Sequence, residues 1–302
     1  IEAIDQVHLA QRDTEVTSGH ALYDLAENTI RVTGEPKWQS GLREGSAELL
    51  LLNRSNNTLF AEGEVYMKLP LTNVVDETVQ QATNNFIEIY SDRFTYTEAP
   101  ETNTPAGAVY EGHVRAEHPE GEIRCEILNI RFAAGDNRLE RVEAEREVEI
   151  ITKGNTAFGQ RAVYDLAEEK IVLSGEPHWV VEDKTGRSDL LVFYPKTEEL
   201  LALGHVEMSI PSTAQVQLLS PATAPDAVGT TNSAPAKGTN APIQIYSRTF
   251  SHQGDIAVFN EQVRVVDDRG ELRCNLVTIV TGASNQVQRI VAEGDVQIEQ
   301  PD

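Results

Sequence analysis

The sequence repeats itself over a long period. Tyr23 and Asp24 return as Tyr164 and Asp165, each 141 positions later. At the same offset Gly34-Glu35-Pro36-Lys37-Trp38 returns as Gly175-Glu176-Pro177-His178-Trp179, and Gly63 as Gly204. Further on, Ala108-Val109-Tyr110 is answered by Ala257-Val258-Phe259, and Gly121-Glu122-Ile123-Arg124-Cys125 by Gly270-Glu271-Leu272-Arg273-Cys274, now 149 positions apart. A fixed long period marks a stacked or serially extended architecture. The copies divide the chain into a block over 1–150 and a second over 151–302. Because Ile1-Glu2-Ala3 aligns with Val142-Glu143-Ala144, the first block is expected to open partway through a unit. Duplication also argues against catalysis, since an active site is one asymmetric constellation while a repeated ladder supplies length and surface.

Local patterning predicts short antiparallel strands. Val65-Tyr66-Met67-Lys68-Leu69, Val206-Glu207-Met208-Ser209-Ile210, Val263-Arg264-Val265, Val148-Glu149-Ile150 and Val296-Gln297-Ile298 alternate apolar with polar. Period-two alternation bounded by Gly, Pro, Asn and Asp reads as half-buried sheet. A smaller unit recurs inside the large one: a strand, a kink often containing glycine, then a strand opening on valine. It appears at Val7, Val65, Val114, Val148, Val206, Val263 and Val296. Glycine inside a strand marks a bulge or sharp bend, which is how a sheet folds over on itself. No helical period is sustained, and the stretch Asp76–Asn85 reads as a loop or short helix at most. The fold class is therefore all-β.

The formal charge of −23 excludes a nucleic-acid partner, which needs a basic footprint, and disfavours an anionic membrane surface. No apolar run approaches the roughly 18–20 residues of a spanning helix. The chain begins at Ile1 and not at Met, as expected if a leader has been removed. Residues 212–241, rich in Ala, Pro, Thr, Gly and Ser, are expected to form a flexible insert of about 15 extra residues, because such a composition buries too little apolar area to order itself. Cys125 and Cys274 occupy equivalent places in the copies and are expected as small buried hydrophobes.

Catalytic and metal motifs are missing. There is no phosphate-binding G-x-x-x-x-G-K-[ST], no G-x-S-x-G, no H-E-x-x-H and no C-x-x-C. His113, Glu117 and His118 make the nearest approach to a metal cluster, but positions 113 and 118 fall on opposite faces of a strand, and the second copy has Gln262, Val266 and Asp267 instead. Glu143, Glu145, Glu147 and Glu149 read as a solvated sheet face. Trp38 and Trp179 are expected as core residues at the corner after the Gly-Glu-Pro turn, the other reading being an aromatic at a groove mouth. No cofactor and no metal are expected.

The order of these motifs resembles a known family. Ala162-Val163-Tyr164-Asp165, Ile171-Val172-Leu173-Ser174-Gly175-Glu176-Pro177 and the return Gly204-His205-Val206 look like the OstA-like repeats of the periplasmic lipopolysaccharide-transport (Lpt) proteins. The resemblance covers most of the chain except 71–86 and 212–241. Arg146-Glu147-Val148 and Glu261-Gln262-Val263 depart from it by lacking the glycine. It implies an elongated antiparallel β-jellyroll, V-shaped and serially extended in two tandem repeats. It also implies a periplasmic location after removal of a signal peptide, lipopolysaccharide or another acylated lipid as ligand, and other Lpt-type jellyroll proteins as partners through edge-strand docking.

The candidate lipid-groove residues are the apolar members of the valine strands: Val65, Met67 and Val114; Val148 and Ile150; Val206 and Met208; Val263 and Val265; Val296 and Ile298. Two readings stand. If the sheet closes on itself, these residues are a dry core, and the protein is a structural or adhesive spacer without a ligand. If it stays open, they line an apolar trough in which methylene burial, about 0.8 kcal/mol each, suffices for lipid binding. An enzyme on a β-scaffold finds no candidate carboxylate pair.

Overall fold

The computed structural model describes residues 1–11, 14–70, 86–98, 106–133, 139–181, 183–211, 241–282 and 287–300. The stretch Asp76–Asn85 and nearly all of the insert, 212–240, lie outside the described residues. Among those described, regular structure is strand throughout, as the alternation requires.

The chain divides into two compact units, Ile1–Leu173 and Ser174–Asp302. Unit 1 holds β1 (Glu2–Gln11), β2 (Thr14–Asp24), β3 (Thr29–Thr33), β4 (Lys37–Ser40), β5 (Arg43–Ser46) and β6 (Leu49–Asn53). Long strands follow: β7 (Thr58–Pro70), β8 (Phe86–Thr97), β9 (Gly107–His118), β10 (Gly121–Phe132), β11 (Leu139–Thr152) and β12 (Asn155–Asp165). The division falls inside β13 (Lys170–Ser174). Unit 2 holds β14 (His178–Val181), β15 (Lys184–Arg187), β16 (Leu190–Tyr194), β17 (Glu199–Ile210), β18 (Ile243–Gln253), β19 (Ile256–Asp267), β20 (Gly270–Thr281), β21 (Val287–Glu293) and β22 (Gln297–Glu299). The sequence period and the compact units are thus different divisions: position 150/151 lies within β11.

Every pairing within the units is antiparallel, and β7 through β12 form a meander. Upstream the ladder is split. Strand β2 pairs with β3 through one half and β4 through the other; β6 and β5 then pair with the two halves of β7. Unit 2 repeats this where β15 and β16 both pair with β17.

The split and the kinks have one cause. Two consecutive residues adopt positive φ at Gly63-Glu64, Gly112-His113 and Gly204-His205, and the ladder register shifts there. Gly34-Glu35 and Gly175-Glu176 have the same conformation, with φ of 79° and 56° in the first pair, so Gly-Glu-Pro is the same corner completed by a proline. Arg146-Glu147 and Glu261-Gln262 make the corner without glycine, at φ of 64° and 51° and of 65° and 55°. A left-handed non-glycine residue costs roughly 1–2 kcal/mol, so the surrounding ladders hold these corners in place.

Each corner bends a strand so that its halves contribute to two layers. Opposite the glycine corners the neighbouring strands carry small buried side chains. Ser91, Ser188 and Ser247 each donate a hydrogen bond to the carbonyl two residues on, at 2.9 Å. Cys274 does the same with Leu276 at 3.3 Å. Cys125 sits at the equivalent bend of β10; both cysteines are buried and free. Burial pushes the Cys125 thiol up to about 12, which suits an inert structural residue rather than a nucleophile.

Candidate functional site

Cross-strand register aligns apolar side chains into continuous rows, buried along most of their length and open at their ends. In unit 1 one layer carries Leu9, Val16, Trp38, Gly45, Met67, Ile89, Ala116, Ile123, Ile150 and Ala157, each directly opposite the next. The other layer carries Ala3, Ala21, Val32, Leu50, Ala61, Phe94, Tyr110, Leu128, Ala144 and Ala162. Unit 2 repeats both. Trp179, Gly186, Met208, Ile245, Val265, Leu272 and Ile298 form one row. Leu191, Ala202, Phe250, Phe259, Val277 and Ala292 form the other. The layers meet: Trp179 stacks on Phe250 with ring centroids 6.4 Å apart and planes 14° from parallel.

The valine-strand residues predicted from the sequence occupy these interiors. Val65, Met67, Val114 and Val148 are buried in unit 1, as are Val206, Met208, Val263 and Val265 in unit 2. Ile150 is half-buried. Val296 and Ile298 are 46 % and 56 % exposed. They stand at the margin of unit 2, where β22 pairs with β20 and no further described strand covers the row. Trp38 and Trp179 are core residues, and each indole lies across the glycine opposite it. A Cβ on Gly45 or Gly186 would come within 2.2 Å of the ring.

Sequence reading missed the facing layer. Its members Leu50, Phe94, Tyr110, Phe250 and Phe259 are among the most buried side chains. Their signal was the duplication itself, which places Phe94 against Phe250 and Tyr110 against Phe259. Both aromatic pairs pack alike, with centroids 4.9 Å apart for Phe94–Tyr110 and 4.8 Å for Phe250–Phe259.

Outward faces are polar and internally paired. Glu143 pairs with Arg161 and Arg141, and Glu149 with Arg124. Glu147 instead forms part of a corner. Arg115 lies over Tyr90 and Arg264 over Tyr246, at 4.6 and 5.0 Å from the ring centroids. Glu15, Thr17, Lys37, Gln39, Glu44, Ser46 and Tyr66, together with Trp38 and Gly45, line an open depression. At the glycine corners the exposed His113 and His205 rings contact Asp92 and Asp189, each at 2.8 Å. The Asp92 carboxylate raises the His113 pKa by hydrogen bonding and charge. Among the described residues no three His, Cys, Asp or Glu side chains converge as metal ligands.

The margins opposite the corners differ between units. In unit 1 Arg43, the first residue of β5, reaches the other layer: its guanidinium lies 5.1 Å from the Phe132 ring centroid and hydrogen-bonds the Tyr96 hydroxyl. In unit 2 Lys184 is the first residue of β15, and His252 stands where unit 1 has Tyr96. Partial desolvation, then the Lys184 charge, hold the His252 pKa below the ordinary histidine range, with Asp255 opposing them.

Comparison with known proteins bears out the resemblance read from the sequence. Residues 88–199 match the family model described as "LptA/(LptD N-terminal domain) LPS transport protein". The match spans β8 through the start of β17. No curated protein matches the chain. Among solved structures, the chain is similar to LptH, described as the LptA-homologous periplasmic component of the lipopolysaccharide transport device of Pseudomonas aeruginosa. Identity is 16 %, covering 45 % of this chain and 88 % of that one, at a TM-score of 0.33, too low to define a shared fold.

Proposed function

We propose that the protein is a non-catalytic component of lipopolysaccharide transport that carries acyl chains between the two apolar layers of each unit, in the periplasm. The family match over 88–199 supports the transport role. The observation that carries the lipid reading is the pair of facing apolar rows, continuous across ten strands in unit 1 and recurring in unit 2. A row of this kind binds methylenes by area alone, with no polar contact needed for affinity. Among the described residues, one row of unit 2 ends on β22, where Ile298 is 56 % exposed. An exposed edge strand with apolar side chains invites addition of another strand, so a second jellyroll module of the transport family is the expected protein partner there.

A sealed spacer is the competing reading, favoured by the depth of packing: Val65, Val114, Val206 and Val263 are each 1 % exposed. Native mass spectrometry with lipid extraction, on protein purified from a Gram-negative host, separates the two. Stoichiometric acylated lipid, or uptake of added lipid A, is the expected result. A bare mass that stays unchanged after incubation with lipid A would leave only the spacer.

A further inference from the structure

Among the described residues, the interior of unit 1 contains one polar group that its own packing does not use. Tyr110 is fully buried in the middle of the row Ala61, Phe94, Tyr110, Leu128, and its hydroxyl makes no hydrogen bond to any described residue. A buried hydroxyl without a partner costs about 1–3 kcal/mol. Unit 2 shows that the architecture does not require it. Phe259 holds the same register position, between Phe250 and Val277, with the same tilted ring contact and no oxygen.

We infer that the Tyr110 hydroxyl is a specificity contact of unit 1, donating a hydrogen bond to the ester or amide carbonyl of an acyl chain held between the layers. The inference rests on the lipid-carrying function proposed above and distinguishes the two units within it. The buried site selects the acceptor: a neutral carbonyl enters an apolar interior at modest cost, whereas an unpaired anion does not. The polarity of the nearby margin sets the orientation. Arg43 spans the layers at Tyr96 and Phe132, close enough for its charge to act on Tyr110, so the oxygen-bearing end of the ligand lies toward that margin and the hydrocarbon toward the corners. Unit 2, with Phe259, takes hydrocarbon without regard to a carbonyl.

The test uses the full chain and two lysophosphatidylcholines that differ by one carbonyl, the 1-palmitoyl ester and the 1-O-hexadecyl ether. Both are titrated calorimetrically below their micelle concentrations, with thermal melts run in parallel. The wild type is expected to bind the ester about 5- to 10-fold more tightly at one site per chain, the factor that one net hydrogen bond supplies. Tyr110→Phe should bind both lipids equally and melt at or above the wild-type temperature. Phe259→Tyr should create a second ester-preferring site. An unchanged ester-to-ether ratio in Tyr110→Phe would overturn the inference while leaving lipid carriage intact, as would a lower melting temperature with that ratio retained. If neither lipid binds the wild type, the inference fails, while the proposed function is decided separately by uptake of lipid A.

Discussion

Units 1 and 2 share an interior that differs by one buried hydroxyl, that of Tyr110, and they have different margins. The corners, the indole-over-glycine contacts and the aromatic pairs recur position for position. The ring of Tyr110 becomes that of Phe259, Tyr96 becomes His252, and Arg43 becomes Lys184. Side chains whose burial is set by register were retained in kind between the copies, while those at the free margin changed chemistry. The interior therefore defines what both units have in common, a pair of facing apolar rows. The margin, together with the interior hydroxyl of Tyr110, defines what each does separately. One tryptophan per unit, Trp38 and Trp179, gives each an independent fluorescence reporter.

The sharpest contrast lies along one row of unit 2. Val265 is fully buried and Ile298, two strands further along, is more than half exposed. Val265→Asp should destabilise unit 2 by more than about 4 kcal/mol, because an unpaired carboxylate is placed between apolar layers. Ile298→Asp should change stability by less than about 0.5 kcal/mol yet weaken any edge-to-edge assembly. Urea unfolding followed through Trp179 checks the first, and sedimentation velocity the second. Equal destabilisation by the two would mean that the row does not end at β22.

Trp179→Ala comes next, at about 3–5 kcal/mol, since removing the indole leaves a hole over Gly186 and strips the stacking from Phe250. Trp38→Ala should cost a similar amount in unit 1, where the indole covers Gly45 beside Met67. The tryptophan left in the other unit reports whether the loss stays local. A loss shared by both reporters would show that the units unfold together.

How far the sequence could be read follows from the same geometry. Half-strands after a corner were legible because Val-x-Met and Val-x-Val alternate cleanly, one face buried and the other solvated. Half-strands before a corner were not. Leu59-Phe60-Ala61 and Leu200-Leu201-Ala202 are apolar on both faces, and the most buried member of each is the alanine. Period-two patterning cannot assign a face to such a segment, so the layer containing Phe94 and Tyr110 went unseen. Val296 and Ile298 show the reverse limit: their alternation matches that of Val206 and Met208, but burial depends on a neighbouring strand that local pattern does not report. Gly-Glu-Pro read as an ordinary turn because the proline obscured its identity with the Gly-polar-Val corners.

Corners without glycine offer a smaller effect of opposite sign. Arg146 and Glu261 hold φ of 64° and 65° where the equivalent corners have Gly63, Gly112 and Gly204. Arg146→Gly and Glu261→Gly should each stabilise their unit by about 1 kcal/mol, by relieving left-handed strain at exposed positions. Gly112→Arg should do the reverse and more strongly, because a Cβ there would meet the Asp92 carboxylate at 2.3 Å. Matched melting curves decide it; destabilisation by both glycine variants would show that the arginine and glutamate side chains themselves hold the bend.

The weakest expected effect is the one that best separates the margins. Partial desolvation and Lys184 keep the His252 pKa below its ordinary value, so at a pH just under about 6.5 the unfolded chain binds a proton that folded unit 2 does not. The contribution of this residue is therefore full at neutral pH and declines as pH falls through the ordinary histidine range toward the folded value. Unit 1 has Tyr96 in that place, with a pKa raised by burial and no charge change in the window. Titrating other histidines in a chain of net charge −23 relieves self-repulsion and works the opposite way, so the informative quantity is a difference between variants. Between pH 7.5 and about 5.5, above the carboxylate range, His252→Tyr should gain stability relative to wild type as pH falls, read through Trp179. Tyr96→His should confer the same acid sensitivity on unit 1, read through Trp38, because Arg43 then faces an imidazole as Lys184 does. Parallel pH profiles for wild type and His252→Tyr would mean that Asp255 cancels the lysine, and that the two margins differ in shape rather than in charge.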